Sequence, residues 1–176
     1  MKTIAAMDNR DKGSITVLAL LVLVILTLIG IGVLTTASSD METAKNMDIY
    51  RRNFARAEAA VRVGMQEIKR IEGLTAYGSL RSCNDATYPW LHTKKGGGNP
   101  LPNPDDINAS ANWVSGGPAA QALDSECLYT VVQTDPPDGD MTKGSYAAYA
   151  VYGRSNQNRG EVIIRVGYRV WIPKQT

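Results

Sequence analysis

Hydrophobic and polar positions fall into three successive rhythms along this chain. From Ser14 to Ser39 (SITVLALLVLVILTLIGIGVLTTASS) no residue is charged, and Ile15 to Leu34 is Leu, Val or Ile at nearly every position, without proline. A helix needs roughly 20 consecutive apolar residues to cross the hydrocarbon core of a bilayer. A helix apolar all round cannot bury itself against one core, because only one face would be covered. The segment therefore predicts a membrane anchor, with residues 40–176 hanging from it. A cleaved secretory signal is the competing reading. Its hydrophobic region would be roughly 7–15 residues with a small-residue cleavage site behind it. The run here is longer, and Thr35 to Ser39 resembles such a site only weakly.

The second rhythm is helical. Met47, Tyr50, Phe54, Ala57, Val61, Gly64, Ile68 and Ile71 recur at spacings of three and four, with charged residues between them, which predicts one apolar stripe on a helix. Gly73 and Gly78 offer a stop. Nothing breaks the chain at Ser39–Asp40, so one helix from Ile15 to Glu72, roughly 85 Å long at 1.5 Å per residue, is expected. Ala57 and Gly64 make a poor coiled-coil seam and suit close packing on a sheet instead.

From Leu74 to Glu126 periodicity disappears, and KKGGGNPLPNPDD and VSGGPAAQ are dense in turn formers. A long irregular stretch of this kind is often functional. Trp90, Leu91, Leu101, Ile107 and Trp113 are the residues expected to tether it to a core. The third rhythm is strict alternation. Val162, Ile164, Val166, Tyr168, Val170 and Ile172 share one face of Glu161 to Pro173, with Arg165 and Arg169 on the other. Ser145 to Tyr152 and Cys127 to Thr134 read as two more strands, the first joined to Glu161 by a turn over Arg154 to Gly160. The predicted fold class is α+β, a long N-terminal helix packed on a C-terminal antiparallel sheet. Its divisions are a leader at 1–13, an apolar helix at 14–39, an amphipathic continuation at 40–73, a variable loop region at 74–126 and a sheet at 127–176, with 40–176 forming one globular domain.

Composition adds restraint. In 176 residues, 19 Lys and Arg face 17 Asp and Glu, which leaves no electrostatic commitment to nucleic acid. Positive flanks tend to stay cytoplasmic. Lys2, Arg10 and Lys12 outweigh Asp8 and Asp11 by little, and Lys45, Arg51 and Arg52 stand beyond the span, so charge sets the orientation weakly. Cys83 and Cys127 allow one intramolecular disulfide, which would close a loop of about 45 residues and stabilise by roughly 4 kcal/mol in the chain-entropy view. Two unrelated thiols are the alternative.

The charged leader ending in Lys12-Gly13, the long apolar helix, its amphipathic continuation and the small antiparallel sheet together resemble the type IV pilin superfamily. ARAEAAVRVGMQEI (Ala55 to Ile68), following GSITVLALLVLVILTLIGIGVL, resembles the PilX-type minor pilins and is similar to the GspK-type minor pseudopilins of type II secretion. The chain is too short for the inserted domain typical of the GspK type, which favours PilX. The resemblance implies cleavage by prepilin peptidase between Gly13 and Ser14, where glycine leaves the backbone unobstructed, and N-methylation of Ser14. It implies partners among major and minor pilins, through bundling of N-terminal helices. It also implies an inner-membrane location, with the globular domain in the periplasm, before assembly into a filament. At the fifth mature position most pilins carry a glutamate that pairs with a neighbour's N-terminal amine; here stands Leu18. Lacking that carboxylate makes membrane residence cheap and removes a contact to the subunit beneath, which favours a tip or initiating subunit. The rival from another class is a single-pass, membrane-anchored periplasmic binding module that never polymerises and keeps Met1 to Gly13.

Little suggests catalysis, and no enzyme activity or cofactor is expected. His92, the only histidine, is placed in a loop as a solvent-exposed or structural residue. Asp135, Asp138 and Asp140 in TDPPDGDMTKG have the hard oxygen ligands that calcium prefers, though a solvated hairpin turn explains them as well. Arg51, Arg52, Arg56 and Arg62 read as a charged outer helix face rather than a phosphate-binding one, so no nucleic-acid partner is expected. Asn108-Ala109-Ser110 fits an N-glycosylation acceptor or a chance match. Gly30 and Gly32 mark places where a membrane helix can bend or pack closely. Tyr149 and Trp171 are either interface or core aromatics.

Overall fold

The computed structural model describes residues 10–73, 88–93, 99–135 and 145–172. The chain divides into two units, Met1–Met47 and Asp48–Thr176. The element that dominates the first is helix α1 (Arg10–Gly73), which also supplies the helical part of the second. Helix formation over the expected span thus agrees with the sequence, and it begins earlier, so that Gly13 and Ser14 are themselves helical. Every side chain from Ile15 to Asp48 is exposed.

In the second unit, α1 lies on a five-stranded sheet made of β1 (Leu91–Thr93), β2 (Ala120–Asp124), β3 (Cys127–Asp135), β4 (Ser145–Gln157) and β5 (Gly160–Ile172). The strand order is β1-β3-β4-β5, with β2 also pairing with β3. All ladders are antiparallel except β1 with β3, which is parallel. The three expected strands are present, and two short ones join them from the stretch expected to be irregular. Three and five residues are too few to show alternation, so β1 and β2 leave no periodic signal in the sequence.

The turn between β4 and β5 is also much tighter than the Arg154 to Gly160 segment suggests. Both strands run on until only Asn158 and Arg159 remain between them. Both adopt positive φ, 54° and 64°, the geometry of a two-residue hairpin turn whose twist matches its strands. Composition marks the turn but not how few residues it needs.

Contact between helix and sheet is close because small residues meet there. A Cβ on Gly64 would lie 2.8 Å from Val151 Cγ1, and one on Gly153 only 2.3 Å from the Ala57 carbonyl oxygen. Around this approach Ala60, Val61, Ile68 and Ile71 of the helix bury against Tyr129, Val131, Tyr149 and Val151 of the sheet, with Trp90 and Leu91 at one side. The expected stripe is partly wrong. Met47, Tyr50 and Phe54 are 58%, 59% and 44% exposed, whereas Asn53 is buried. A step of one residue turns a helix by about 100°, and the sheet-facing line runs Asn53, Ala57, Ala60, Gly64 and not through Phe54.

Asn53 is buried because it completes the hairpin. Its amide nitrogen donates to the carbonyls of Gln157 (2.9 Å) and Gly160 (2.8 Å), and its amide oxygen accepts from the Ser155 hydroxyl (2.9 Å). One helix side chain thus holds both sides of the β4–β5 turn. Asn53→Ala strands buried polar groups, each at roughly 1–3 kcal/mol. The expected loss is about 2–4 kcal/mol in urea unfolding of the full chain in detergent; a loss below about 0.5 kcal/mol contradicts this role.

On the other face of the sheet, Trp113, Ala119 and Leu128 form a second core, with Ile107 and Tyr152 packed on it. Leu101, also expected as a tether, is buried. Asn112 ties the segment to itself, accepting from the Asn103 amide and donating to the carbonyls of Asn103 and Asp106. Tyr149 is a core residue, and Trp171 remains 45% exposed beside Tyr146.

Candidate functional site

The sequence places its functional residues on the first unit, and their chemistry is that of an unpartnered apolar helix. Leu18 is 65% exposed, and Ile15, Leu20, Leu26 and Leu34 are no less open than about half. Burying each of their methylenes in an apolar medium gains about 0.8 kcal/mol over leaving it in water. The helix already satisfies its own backbone, as any segment in hydrocarbon must. The few hydroxyls do the same. Thr27 donates to the Val24 carbonyl, and Thr35 and Thr36 both donate to that of Gly32. By length and composition this stretch can cross a membrane. No atom lies within 4 Å of a Cβ built on Gly30 or Gly32, so each leaves a notch open for another helix.

Gly13, Ser14 and Leu18 come together only because they are successive on α1; tertiary structure adds nothing to their grouping. Cys83, Asp138 and Asp140 lie outside the described residues, and Asp135 is the last residue of β3. Cys127 opens β3 and is fully buried, its thiol donating to the Arg56 carbonyl at 3.2 Å. Burial pushes that thiol above its ordinary value.

Two residues differ from their expected places. His92 is not in a loop but on β1, and of its two readings the structural one applies: it is buried, 2.7 Å from the Pro118 carbonyl through Nε2 and 3.1 Å from that of Asn99 through Nδ1. Burial holds its pKa below the ordinary imidazole value, against the pull of those carbonyls. Its role is to pin the segment after β1 to the sheet. Arg56 does not belong to the outer charged face. It reaches Asp124 on β2 and the Ser155 hydroxyl, so that it clamps helix to sheet. This hydrogen bond raises Arg56 and lowers Asp124 from their usual ranges. The outer face is as expected elsewhere, with Arg52 paired to Asp48 and Arg62 to Glu58 along the helix.

Sequence reasoning missed Asn53, the Arg56–Asp124 clamp and the free edge of the sheet. Ala57, Ala60 and Gly64 mark the line of closest approach, and extending that line back one turn reaches Asn53. The clamp had no signal, because β2 itself had none.

Residues 12–62 match the family described as PilX N-terminal. Among curated proteins and among solved structures nothing matches the chain. The matched span begins at Lys12-Gly13, takes in the whole apolar segment and ends within the part of α1 that packs on the sheet. That span, followed by an α+β domain of one helix on a mostly antiparallel sheet, supports a PilX-type minor pilin of the type IV pilin family.

Proposed function

We propose that this chain is a minor pilin that initiates or caps a type IV pilus-like filament and has no enzymatic role. Prepilin peptidase would cut between Gly13 and Ser14, and Ser14 would become the methylated first residue. Before assembly α1 would hold the protein in the inner membrane with its second unit in the periplasm. On extraction, the apolar surface from Ile15 to Leu34 has to find cover, and helices of sister pilins are the cover that replaces lipid. The chain thus ends at the tip, where one face of the subunit has no further neighbour to join. A disulfide between Cys83 and Cys127 would brace the loop region after export.

The observation that carries this reading is Leu18, exposed on α1 at what would be the fifth position once the chain is cut after Gly13. A leucine there cannot make the carboxylate-to-amine pairing used by shaft subunits in this family. The rival, a membrane-anchored module that stays monomeric, needs no such helix surface once anchored and no processing at Gly13.

Deleting the chain and counting filaments tests the role. An initiating subunit lowers the number of filaments per cell by tenfold or more and leaves their length distribution unchanged. Gold-labelled antibody should then mark filament ends in the wild type. Labelling along shafts, or full filament numbers without the chain, would contradict the reading.

A further inference from the structure

The last strand of the sheet ends it with an open ladder. Among the described residues, β5 stands at the end of the strand order and pairs only with β4. The tight Asn158–Arg159 turn fixes which of its backbone groups are used. The two residues that close such a turn, Gln157 and Gly160, exchange both their hydrogen bonds, and bonded pairs then alternate along an antiparallel ladder. The register holds without a shift from Gln157↔Gly160 to Ser145↔Ile172. Val162, Ile164, Val166, Tyr168 and Val170 therefore turn their N–H and C=O groups toward β4. Glu161, Ile163, Arg165, Gly167, Arg169 and Trp171 turn theirs outward. Among the described residues no backbone hydrogen bond reaches these six from outside the sheet.

Sheets usually blunt such an edge with a very short strand, a bulge, a proline or a charge. β5 is 13 residues long, regular and free of proline over its span. Along its middle, the blunting charges are a pair of arginines. Arg165 and Arg169 are exposed on the face away from the helix, four positions apart, with Gly167 between them. A Cβ on Gly167 would meet nothing within 4 Å. Together with Thr134, Ala148 and Ala150 these three line a shallow depression of about 420 Å³. On the helix side Ile164 and Val166 remain half-buried, with no strand beyond them among the described residues.

We propose that β5 is a docking edge that takes an extended acidic segment of another protein as a sixth strand. The occupant's backbone would fill the six outward positions, and its side chains are set by what they face. Directly opposed residues on neighbouring strands sit within about 5.5 Å, and opposite charges there attract. Two carboxylates four positions apart answer Arg165 and Arg169, and a larger residue between them fills the space over Gly167. Alternate positions are apolar and extend the core past Ile164 and Val166. A second copy of this chain is the wrong occupant. Antiparallel pairing of two β5 strands about Gly167 would set Arg165 opposite Arg169 twice over, and like charges directly opposed repel. The arginines thus keep the edge from its own copies while leaving it open to an acidic strand. This edge lies wholly in the second unit and does not depend on the chain's place in a filament.

The test uses the full chain in detergent and a nine-residue peptide of alternating valine and serine or threonine, with glutamates at positions three and seven. Three measurements are expected to agree. The peptide slows hydrogen exchange at the amides of Ile163, Arg165, Gly167 and Arg169. The double variant R165E/R169E binds it about tenfold more weakly and prefers the lysine version of the peptide. N-methylating one alternate set of peptide amides abolishes binding, while methylating the other set does not. Charge reversal at two exposed positions leaves the fold in place, and unchanged melting of the variant checks that. Equal affinity for the glutamate and lysine peptides would overturn the proposal. So would binding without protection of those amides, or binding indifferent to which set is methylated. Protection that appears without peptide as the protein concentration rises would assign the edge to a second copy and overturn it too.

Discussion

Replacing Gly153 with valine is expected to destabilise the sheet-bearing unit by at least about 3 kcal/mol. The new Cβ alone would stand 2.3 Å from the Ala57 carbonyl oxygen and 2.9 Å from the Val61 nitrogen. Both are backbone atoms of α1, so no rotamer change can make room. The helix has to lift off the sheet at its closest point, which opens the core on both sides of Gly153. Set against a total stability of roughly 5–15 kcal/mol for a domain of this kind, the loss is large. Two further glycines calibrate it. Gly64→Ala meets a valine methyl at 2.8 Å and a tyrosine ring carbon at 3.0 Å. Side chains yield more readily than backbone, so about 1–2 kcal/mol is expected there. Gly167→Ala on β5 meets nothing and should be neutral within about 0.5 kcal/mol. Urea unfolding of the three variants, followed by the signal of buried Trp90 and Trp113, checks the order. A Gly153 variant no worse than the Gly167 one would contradict the close approach of helix and sheet.

The second large effect falls on assembly. Substituting Gly13 with valine should leave the protein uncut, unmethylated and absent from filaments, and filament numbers should fall to those of the deletion strain. The structure gives this expectation a physical basis beyond family pattern. Helix α1 runs through the Gly13–Ser14 bond, and a helical peptide bond is shielded by its own turn. A protease acting there needs the backbone opened locally. Glycine is about 1 kcal/mol less favourable in a helix than alanine and carries no side chain to obstruct attack. Valine keeps the chain helical and adds two methyls at the bond to be cut. Normal maturation of Gly13→Val would refute the argument, and a static membrane-anchored module would be equally indifferent to the change.

Legibility in the sequence followed the length of each pattern. The apolar run from Ile15 to Leu34 and the alternation from Val162 to Ile172 are long enough that periodicity alone decides them. The fold class and the membrane-crossing character of the helix came from these two stretches. The phase of the helix was harder. Tyr50 and Phe54 look like core residues at helical spacing, but their places relative to the sheet are set by Gly64 and Gly153. Those glycines bring the backbones so close that only Ala, Gly and a hydrogen-bonded Asn53 fit the line. Size complementarity between distant segments decided the face, and hydropathy does not encode it. β1 and β2 were hidden for a different reason. Each owes its strand geometry to pairing with β3, and His92 and Arg56 took their structural roles from those pairings. The open edge of β5 is a property of strand order, which no single segment carries.

The central claim is that this chain is processed and used as a pilin, and the intact mass of the protein from cells with and without prepilin peptidase tests it most directly. The account predicts a mature chain beginning at N-methylated Ser14, present only where the peptidase is active. A chain that retains Met1 to Gly13 in both strains would contradict it.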